Sequence, residues 1–487
     1  MEFISRSGNK YWFDNKTGLS LPLTPSLEKY FQDKAYDITK DKEKIDDDEY
    51  GYNYKLIKKI NKLHQMLVVN PPVKIESDLI KKIILKEGAL QLTLGVTEDC
   101  NLRCKYCVYS DVYKYSRKPT KKKMSFNIAK KALDYYVSLI KEGRRYNPNR
   151  RPAVGFYGGE PLLNFNLIKR CVDYLDSSYP EYNFFFTMTT NGTILDDKKW
   201  IYLQEHDFSI SISLDGPQEE HDRNRLYKNG KGTFFDIMEN IKKMTDSGYD
   251  KCQLSTVFDY KSNLFALQDF FNRVDIPKIS GATLPGLNDG CQYYNQFSEE
   301  DYSQFLKKLD SAFKYYLNNT KNNAEYSSFF DRIFGLNYSK MINMIPILIN
   351  RENSIIPYTG ACIPGRKIFV DVDGNFHMCE KINHYFNIGN IHEGLNFKKI
   401  ADYIKIYRQR LDKCKLCSIS RLCPYCYCMF SKGAQFQNAS QFCNQEQVFK
   451  KQMSDAFSFA EKNPVLIESL SQDYFTWLAK RSPTMGD

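Results

Sequence analysis

Thr97-Glu-Asp-Cys-Asn-Leu-Arg-Cys-Lys-Tyr-Cys107 is the stretch of sequence that decides the fold. Its cysteines Cys100, Cys104 and Cys107 are spaced C-x3-C-x2-C, with no obvious fourth. A structural zinc site closes with four ligands, so three thiolates suit zinc poorly. A cubane iron–sulfur cluster is normally held by four thiolates, and with three of them one iron stays open to a substrate or cofactor. A redox or zinc-binding loop is the alternative for this motif alone.

Strand and helix patterns alternate on both sides of this motif, from about residue 89 to 300. Repeated strand–helix units imply a parallel sheet, and six units fall short of an eight-unit barrel. The sequence therefore predicts an α/β fold with a partial (β/α)6 barrel that resembles part of a TIM barrel. The predicted strands are Leu90–Val96, Ala153–Tyr157, Asn183–Met188, Phe208–Leu214, Gln253–Phe258 and Lys278–Leu284. The predicted helices are Phe126–Lys141, Phe165–Ser177, Lys198–Glu205, Phe234–Ser247 and Leu264–Arg273.

Polar motifs follow the later predicted strands, where an α/β barrel builds its site. Gly158-Gly159-Glu160-Pro161 comes after the second strand, and its glycines let backbone approach a ligand closely. Thr189-Thr-Asn191-Gly192 ends the third strand. Ser213-Leu-Asp-Gly-Pro217 ends the fourth, and His221-Asp-Arg-Asn-Arg225 follows it. The alternative interpretation is that Asp215-Gly216-Pro217 is only a turn and that Arg225 is a surface charge.

Taken together, these motifs resemble the radical S-adenosylmethionine (SAM) superfamily. The resemblance implies that Cys100, Cys104 and Cys107 hold a 4Fe–4S cluster whose open iron binds SAM. An electron from the cluster then cleaves SAM to methionine and a 5′-deoxyadenosyl radical. Glu160 is expected at the SAM ammonium, Ser213 at the ribose and Arg225 at the carboxylate. The full set of expected SAM-binding residues is Tyr106, Gly158, Gly159, Glu160, Asn191, Ser213 and Arg225.

A second cysteine-rich region begins near residue 353. Asp373-Gly374 is a strong two-residue turn signal and predicts a hairpin of Lys367–Val372 with Asn375–Met378. Paired C-x2-C units beside a hairpin are also typical of zinc ribbons, which are the competing interpretation. The cysteines of this region are Cys362, Cys379, Cys414, Cys417, Cys423, Cys426, Cys428 and Cys443.

These eight cysteines resemble the SPASM domain of radical SAM maturases, which binds two auxiliary 4Fe–4S clusters and brings the expected total to three. The resemblance assigns Cys362 and Cys379 to the inner cluster. The next ligand position of the family pattern falls on Tyr427, between Cys426 and Cys428. Either one of them ligates and leaves an open iron, or both ligate and close the cluster. The outer cluster is expected on Cys414, Cys417, Cys423 and Cys443.

Four domains are predicted: residues 1–88, 89–300, 301–352 (a helical bridge) and 353–487, which ends in helices near 446–461 and 466–480. In the first, Tyr11–Phe13 and Leu19–Leu21 read as strands around a turn, followed by helices. This arrangement resembles the small winged-helix modules, called RiPP recognition elements (RRE), that bind the leader of a ribosomal precursor peptide as an added strand.

Charge and composition limit the partners and the compartment. The chain has 487 residues, a net charge of +11 and fourteen cysteines, with no signal peptide and no long apolar stretch, so a cytoplasmic protein without membrane insertion is expected. Residues 103–151 carry fifteen Lys or Arg against three acidic residues. A basic surface beside a redox cluster favours an acidic electron donor such as flavodoxin or ferredoxin, although a merely solvated face is the alternative. The sequence contains no recognised nucleic-acid motif, so nucleic acid is a weaker candidate.

The SPASM group mostly modifies ribosomal peptides, and we expect a thioether-forming maturase of the sactipeptide or ranthipeptide type. Glu380 follows Cys379 directly, and the resemblance to sulfatase maturases makes it a candidate general base; the alternative is a carboxylate that only supports the cluster ligand. A formylglycine-forming sulfatase maturase or a carbon–carbon crosslinking maturase would share most motifs. A non-catalytic iron–sulfur scaffold that binds peptides is the alternative from another class.

Overall fold

The computed structural model describes residues 1–15, 18–33, 47–66, 74–89, 91–287, 290–319, 328–342, 355–356, 358–420 and 423–465. The strands are β1 (Glu2–Ile4), β2 (Lys10–Asp14), β3 (Leu19–Pro22), β4 (Gln91–Thr97), β5 (Ala153–Gly158), β6 (Phe185–Thr190), β7 (Ser209–Ser213), β8 (Cys252–Val257), β9 (Ile279–Thr283), β10 (Lys367–Val370), β11 (Asn375–His377), β12 (Asn387–Asn390), β13 (Gly394–Leu395), β14 (Ser431–Lys432) and β15 (Gln435–Phe436).

Along the chain, α-helices alternate with the strands of the central sheet and also occur before and after them. They are α1 (Pro25–Gln32), α2 (Asp47–Met66), α3 (Ser77–Glu87), α4 (Phe126–Gly143), α5 (Phe165–Ser178), α6 (Asp197–Glu205), α7 (Gln218–Asn224), α8 (Phe234–Asp246), α9 (Leu264–Phe271), α10 (Glu299–Asn319), α11 (Leu336–Ile342), α12 (Phe397–Arg410), α13 (Tyr427–Phe430) and α14 (Gln445–Lys462). Among the described residues, no helix is long and apolar enough to cross a membrane.

The six predicted strands of the partial barrel are present as β4 to β9, which lie side by side in sequence order and pair in parallel. The five predicted helices between them are present as α4, α5, α6, α8 and α9, each within a few residues of its expected bounds. Leu90, the predicted first residue of the first strand, lies outside the described residues. The alternating strand and helix patterns of the sequence therefore identified the barrel units correctly.

The sheet differs from the predicted six-stranded barrel because it has ten strands. The order is β13-β12-β11-β10-β4-β5-β6-β7-β8-β9. Lys367 of β10 pairs with Gln91 of β4 in parallel register, and the predicted hairpin is present as β10 and β11. Six of the seven residues of β4 are buried. A strand buried on both faces needs backbone partners on both sides, and β10 supplies those that the barrel lacks.

The N-terminal region contains a three-stranded antiparallel sheet, in which the two predicted strands are β2 and β3 and the additional β1 pairs with β2. Phe3 and Phe13 of this sheet are buried against Phe449 and Met453 of α14. The helix α3 packs instead against α4 and α12, and its residue Ile84 is fully buried in the main core. The described N-terminal region therefore contacts α14 through its sheet, and α4 and α12 through α3.

The segment after β9 is helical, as predicted, in α10 and α11. The first predicted C-terminal helix is present as α14. The second one, near residues 466–480, lies outside the described residues.

Candidate functional site

The loop after β4 carries Cys100, Cys104 and Cys107, and each thiol faces a nitrogen donor. The backbone N–H of Leu102 donates to Cys100 Sγ at 3.4 Å, and that of Tyr109 donates to Cys107 Sγ at 3.4 Å. Arg225 Nη1 lies 3.9 Å from Cys104 Sγ. Hydrogen bonds to sulfur stabilise thiolates, so the loop is built to carry negative charge once the thiols are deprotonated.

A cavity of about 440 Å³ opens beside these three thiols. Gly159, Tyr293 and Gln296 also line it. Without a positive ion in place, burial raises the pKa of Cys100 and that of Cys104 to about 12. Within the described part of the chain, no three His, Cys, Asp or Glu side chains converge on a single metal ion. Convergence on one ion is not required of a cluster in which each cysteine holds a different iron.

Gly158 and Gly159 bring the end of β5 against the cysteine loop. The backbone N–H of Gly159 donates to Thr97 O at 2.8 Å, and that of Glu160 donates to Asp99 O at 2.9 Å. A Cβ atom on Gly158 would lie 2.2 Å from Thr97 O, and one on Gly159 would lie 2.2 Å from Asp99 O. The two glycines are therefore required for the end of β5 to contact the backbone of the cysteine loop. Gly159 also lines the cavity.

Glu160 is 1% exposed and connects the ends of β5 and β6. Its carboxylate accepts hydrogen bonds from Thr190 Oγ1 at 2.7 Å and from the backbone N–H groups of Asn191 at 2.7 Å and Leu162 at 3.1 Å. Burial raises the pKa of Glu160 to about 7 despite these donors. The predicted contact with the SAM ammonium would supply the positive charge that the buried carboxylate otherwise lacks.

Asn191 connects β6 to the cysteine loop. Its Nδ2 donates to Asn101 Oδ1 at 2.8 Å and lies 3.8 Å from Cys100 Sγ. Its Oδ1 accepts from the backbone N–H of Thr193 at 3.0 Å. Asn191 therefore positions Cys100 as well as lying at the predicted SAM-binding edge.

Tyr106, Asp215 and Arg225 form a buried polar group behind Cys104. Asp215 Oδ2 accepts from the Tyr106 hydroxyl and from Arg225 Nε at 3.0 Å, and Oδ1 accepts from the backbone N–H of Val257 at 3.0 Å. The Arg225 guanidinium also lies 5.4 Å from the centre of the Tyr106 ring. Arg225 is thus a buried, paired cation, which contradicts the alternative of a surface charge.

Asp215 and His221 are site residues that the sequence interpretation had assigned only to a turn and to the segment after it. His221 Nδ1 accepts from the backbone N–H of Asp215 at 3.1 Å, and Nε2 lies 2.9 Å from Thr233 Oγ1. The run Ser213-Leu-Asp-Gly-Pro217 contained a usable signal. Its aspartate follows the end of a strand, and Arg225, an expected SAM ligand, comes soon after it in sequence. An ion pair between Asp215 and Arg225 could therefore have been predicted. Ser213 is the last residue of β7, at the same edge of the sheet.

Glu380 belongs to the second cysteine region, and Arg117 connects it to the segment after the first. Its carboxylate is 2.8 Å from Lys367 Nζ, and its side chain is 16% exposed. Burial raises the pKa of Glu380, but the Lys367 ammonium outweighs burial and lowers that pKa below its usual value. Arg117 Nη1 donates to the backbone carbonyl oxygens of Glu380 at 3.3 Å and Ile382 at 2.8 Å. The segment after Cys379 is thereby fixed to the segment after the cysteine loop.

Tyr109 brings Glu380 into electrostatic contact with the first cysteine loop. Burial raises the pKa of Tyr109, the Arg117 guanidinium lowers it, and Glu380 and Cys107 raise it further. Tyr109 also lines the cavity. Among the described residues, the Tyr109 hydroxyl and the Nε and Nη2 atoms of Arg117 have no hydrogen-bond partner. Unpaired buried donors at this place fit a site that receives a polar ligand.

The eight C-terminal cysteines interact electrostatically within each of the two predicted groups, and Cys423 also interacts with Cys426 of the other group. Cys414, Cys417, Cys423 and Cys443 interact electrostatically with one another. In the other group, Cys379 Sγ lies 3.8 Å from Cys428 Sγ. The structure records all fourteen cysteines as free thiols.

Comparison with known proteins identifies the central part of the chain. Residues 94–271 match the family model described as the radical SAM superfamily. An uncharacterised protein of Methanocaldococcus jannaschii is 37% identical over 155 residues, which are 32% of this chain and 48% of that protein. The chain thus spans about half the length of this relative.

A longer match extends into the C-terminal region. The cysteine-type anaerobic sulfatase-maturating enzyme of Clostridium novyi is 27% identical over 383 residues, which are 75% of this chain and 93% of that enzyme. The solved structure of native anSMEcpe with bound AdoMet and Kp18Cys peptide superimposes with a TM-score of 0.56 at 21% identity, over 78% of this chain and 99% of that one. At this identity the likeness shows the fold.

Proposed function

We propose that this chain, which is a radical SAM enzyme with a 4Fe–4S cluster and SAM as cofactors, modifies a ribosomally made, cysteine-rich precursor peptide by joining a cysteine sulfur to a carbon. The three thiols of the first loop and the adjacent cavity of about 440 Å³ suit a cluster held by three sulfurs with room for a chelating cofactor. The relative named as a sulfatase-maturating enzyme and the solved structure with a bound peptide support a peptide or protein substrate.

The observation that carries the proposal is the position of Glu380. Its pKa lies below the usual value because of Lys367, so the carboxylate is charged and able to accept a proton at neutral pH. Cys379, its neighbour in sequence, belongs to the second cysteine region, and Tyr109 links Glu380 to the cavity at the first. A base at this place can take the proton from a substrate thiol as its sulfur forms the new bond.

The other residues of the site hold and orient the reactants. When bound, the cluster and SAM supply a carbon radical that removes a hydrogen atom from the substrate. Cys100, Cys104 and Cys107 hold the cluster, and Glu160, Ser213 and Arg225 are proposed to bind SAM. The Asp215 carboxylate holds the Arg225 side chain in place, at 3.0 Å from its Nε. Tyr109 and Tyr293 line the cavity beside the three thiols.

The C-terminal cysteines are proposed to hold two auxiliary 4Fe–4S clusters in a SPASM domain. Thioether formation removes two hydrogens, so one electron must leave the substrate after hydrogen-atom removal. An auxiliary cluster is a suitable acceptor. An acidic flavodoxin or ferredoxin is proposed to supply the electrons for SAM cleavage, attracted by the basic residues 103–151.

The N-terminal sheet is proposed to bind the leader of the precursor peptide. In the described part of the chain, β1 and β3 are the outer strands of this sheet, and winged-helix modules bind a leader as a strand added to such a sheet. Three helices follow the sheet in sequence, as the resemblance to a winged-helix module implies. The alignment with the Clostridium novyi enzyme covers 75% of this chain, so about a quarter of the chain has no counterpart in that alignment.

Formylglycine formation is the second candidate. The sulfatase-maturating relative favours it, because 93% of that enzyme is matched. The two reactions differ in the fate of the substrate sulfur, which is retained in a thioether and lost in formylglycine.

Mass spectrometry separates these candidates. The enzyme is reconstituted with iron and sulfide and incubated anaerobically with SAM, reductant and a cysteine-containing peptide encoded by a neighbouring gene. Loss of two hydrogens together with an alkylatable thiol is expected. Replacement of sulfur by oxygen together with loss of two hydrogens would establish the sulfatase-maturase reaction instead, because formylglycine is an aldehyde. Loss of two hydrogens with all thiols alkylatable would establish carbon–carbon crosslinking. Cys104→Ala is the control, in which SAM cleavage is abolished.

Glu380→Gln tests the base. We expect SAM cleavage to continue while the modified peptide forms about 10²-fold more slowly, the usual size of a general-base effect. Glu380→Asp should recover part of the rate, and Glu393→Gln, an exposed position between β12 and β13, should change nothing. An unchanged rate of peptide modification in Glu380→Gln would contradict the role of this carboxylate.

A further inference from the structure

The turn after Cys417 contains an apolar residue that is completely buried. The sequence from Cys417 to Ser420 is Cys-Ser-Ile-Ser, and the backbone N–H of Ser420 donates to Cys417 O at 3.3 Å, which closes the turn. Connecting segments usually run over the surface of a protein. Ile419 is nevertheless 0% exposed. Another part of the chain must therefore cover this side chain.

The N-terminal sheet provides that cover. Ile419 shares an apolar core with Phe3 of β1, with Phe13 of β2 and with two residues of α14, and Cys417 itself packs against this core. The core is separate from the main one, to which the strands of the barrel belong. The segment that carries Cys417 is therefore anchored in the N-terminal sheet and α14 and not in the barrel.

Asn15, directly after β2, adds a polar contact to the same turn. Its Nδ2 donates to Ser420 Oγ at 3.0 Å and to Cys417 O at 3.4 Å. Ser420 is 2% exposed, and its backbone carbonyl oxygen accepts from the N–H of Thr359 at 2.6 Å. A buried hydroxyl and carbonyl need such partners, since water does not reach them. Both ends of the turn are thus fixed by one side chain of the N-terminal region.

The segments that carry the outer cysteines are held together by three further hydrogen bonds. Each bond joins residues that lie within three positions of one of the four cysteines. They are the bonds of the Asp412 carboxylate with the backbone N–H of Ser440 at 3.1 Å, of the Glu446 carboxylate with that of Ser418 at 3.3 Å, and of Gln445 Nε2 with the Tyr425 hydroxyl at 2.8 Å. This arrangement fits a cluster held by thiols from all of these segments.

We propose that the N-terminal sheet has a role besides leader binding: it holds the segment from Cys417 to Ser420 in the position that the outer auxiliary cluster requires. Ile419 anchors the turn in the apolar core, and Asn15 fixes its two ends. The inference rests on the proposed function in placing a cluster on the outer cysteines. Truncation of the N-terminal region then removes two things at once, the strands that bind the leader and the support of an auxiliary cluster.

Hydrogen exchange measures this support without a peptide substrate or a product. Phe13→Ala removes apolar cover from Ile419, and Asn15→Ala removes the polar contact. Leu27→Ala is the control for Phe13→Ala, because it empties a fully buried position in the separate core of the N-terminal helices. Asn9→Ala is the control for Asn15→Ala, because its side chain donates to α14 at 3.0 Å. Deuterium uptake of the full, anaerobically reconstituted chain is followed by mass spectrometry of its fragments.

The fragment that covers residues 412–420 should respond to the two test variants alone. We expect its exchange to be at least about tenfold faster in Phe13→Ala and about threefold faster in Asn15→Ala, since a buried aromatic side chain stabilises more than one hydrogen bond. Unchanged fragments of β4 to β9 show that each variant is folded. Unchanged exchange of residues 412–420 in either test variant, or an equal increase in its control, would overturn the proposal.

Iron retention tests the link to the cluster. After an anaerobic challenge with a chelator, Phe13→Ala and Asn15→Ala should each lose up to about four irons per chain more than their controls, which is the content of one cubane. Equal losses in test and control variants would overturn the proposed support. If Cys414→Ala removes no iron from the chain, the proposed outer cluster is itself refuted, whereas hydrogen exchange still decides whether the sheet holds the turn.

Discussion

Asp215 is the residue on which the buried polar group behind Cys104 depends. Its carboxylate pairs with Arg225 and accepts from Tyr106 and Val257. Asp215→Asn would leave the buried guanidinium without a counter-charge, which typically costs about 3–5 kcal/mol. We expect a clearly lower urea midpoint of unfolding and weaker SAM binding. Asp236→Asn, which alters an exposed carboxylate bound by the Tyr227 hydroxyl, should change the midpoint little. Equal midpoints for the two variants would contradict this role.

His221 makes the free energy of unfolding depend on pH. Burial, and then the nearby Arg225, lower the pKa of His221 from 6.5 to about 3. The unfolded chain therefore binds a proton in a pH range where the folded chain does not. The free energy of unfolding should fall as the pH drops from about 6.5 toward 3, by at most about 1.4 kcal/mol per pH unit from this residue. His221→Gln should remove this part of the pH dependence, and His392→Gln at an exposed position should retain it. Denaturant unfolding at several pH values checks the difference.

At the scale of the element, the cysteine loop depends on its contact with the end of β5. Gly159→Ala would place a Cβ atom 2.2 Å from Asp99 O, a backbone atom that can move only with the loop. Displacement by about 1 Å can reduce a reaction rate about 10²-fold, so SAM cleavage should fall by that order. Gly281→Ala in β9 is the matched control, because its Cβ would meet nothing within 4 Å. Measured rates of SAM cleavage that agree in the two variants would show that the contact is not required.

The local elements were predictable because their signals are local. The alternating strand and helix patterns located β4 to β9, and Asp373-Gly374 located the turn between β10 and β11. The pairing of β10 with β4 was not predicted, since nothing near Lys367 in sequence identifies Gln91 as its partner. The same limit applied to the site. Spacing identified the cysteines, whereas the pairing of Asp215 with Arg225 and of Glu380 with Lys367 depends on contacts between distant segments.

At the scale of the whole molecule, the described part of the N-terminal 88 residues divides among three cores, one of which, around Leu27 and Ile57, lies within this region. The sheet residues Phe3 and Phe13 pack on α14, whereas Ile75 and the α3 residue Ile84 belong to the main core. Deletion of residues 1–73 should therefore preserve SAM cleavage while abolishing peptide modification. Deletion of residues 1–88 should in addition destabilise the barrel by several kcal/mol, because it removes apolar side chains beneath α4 and α12. Thermal unfolding and SAM cleavage of the two truncations measure the difference. Unchanged peptide modification after the shorter deletion would contradict leader binding by this region.

The parallel pairing of β4 with β10 also sets the order of events during synthesis. The backbone groups along one edge of β4 find their partners only when residues 367–370 have left the ribosome. Until then the nascent chain exposes one edge of a strand that is buried in the finished protein, and pairings between such distant segments form slowly. Pairing of β10 with β4 is therefore a late step in the folding of the newly made chain, and it can begin before the cysteines from Cys414 onward have been made.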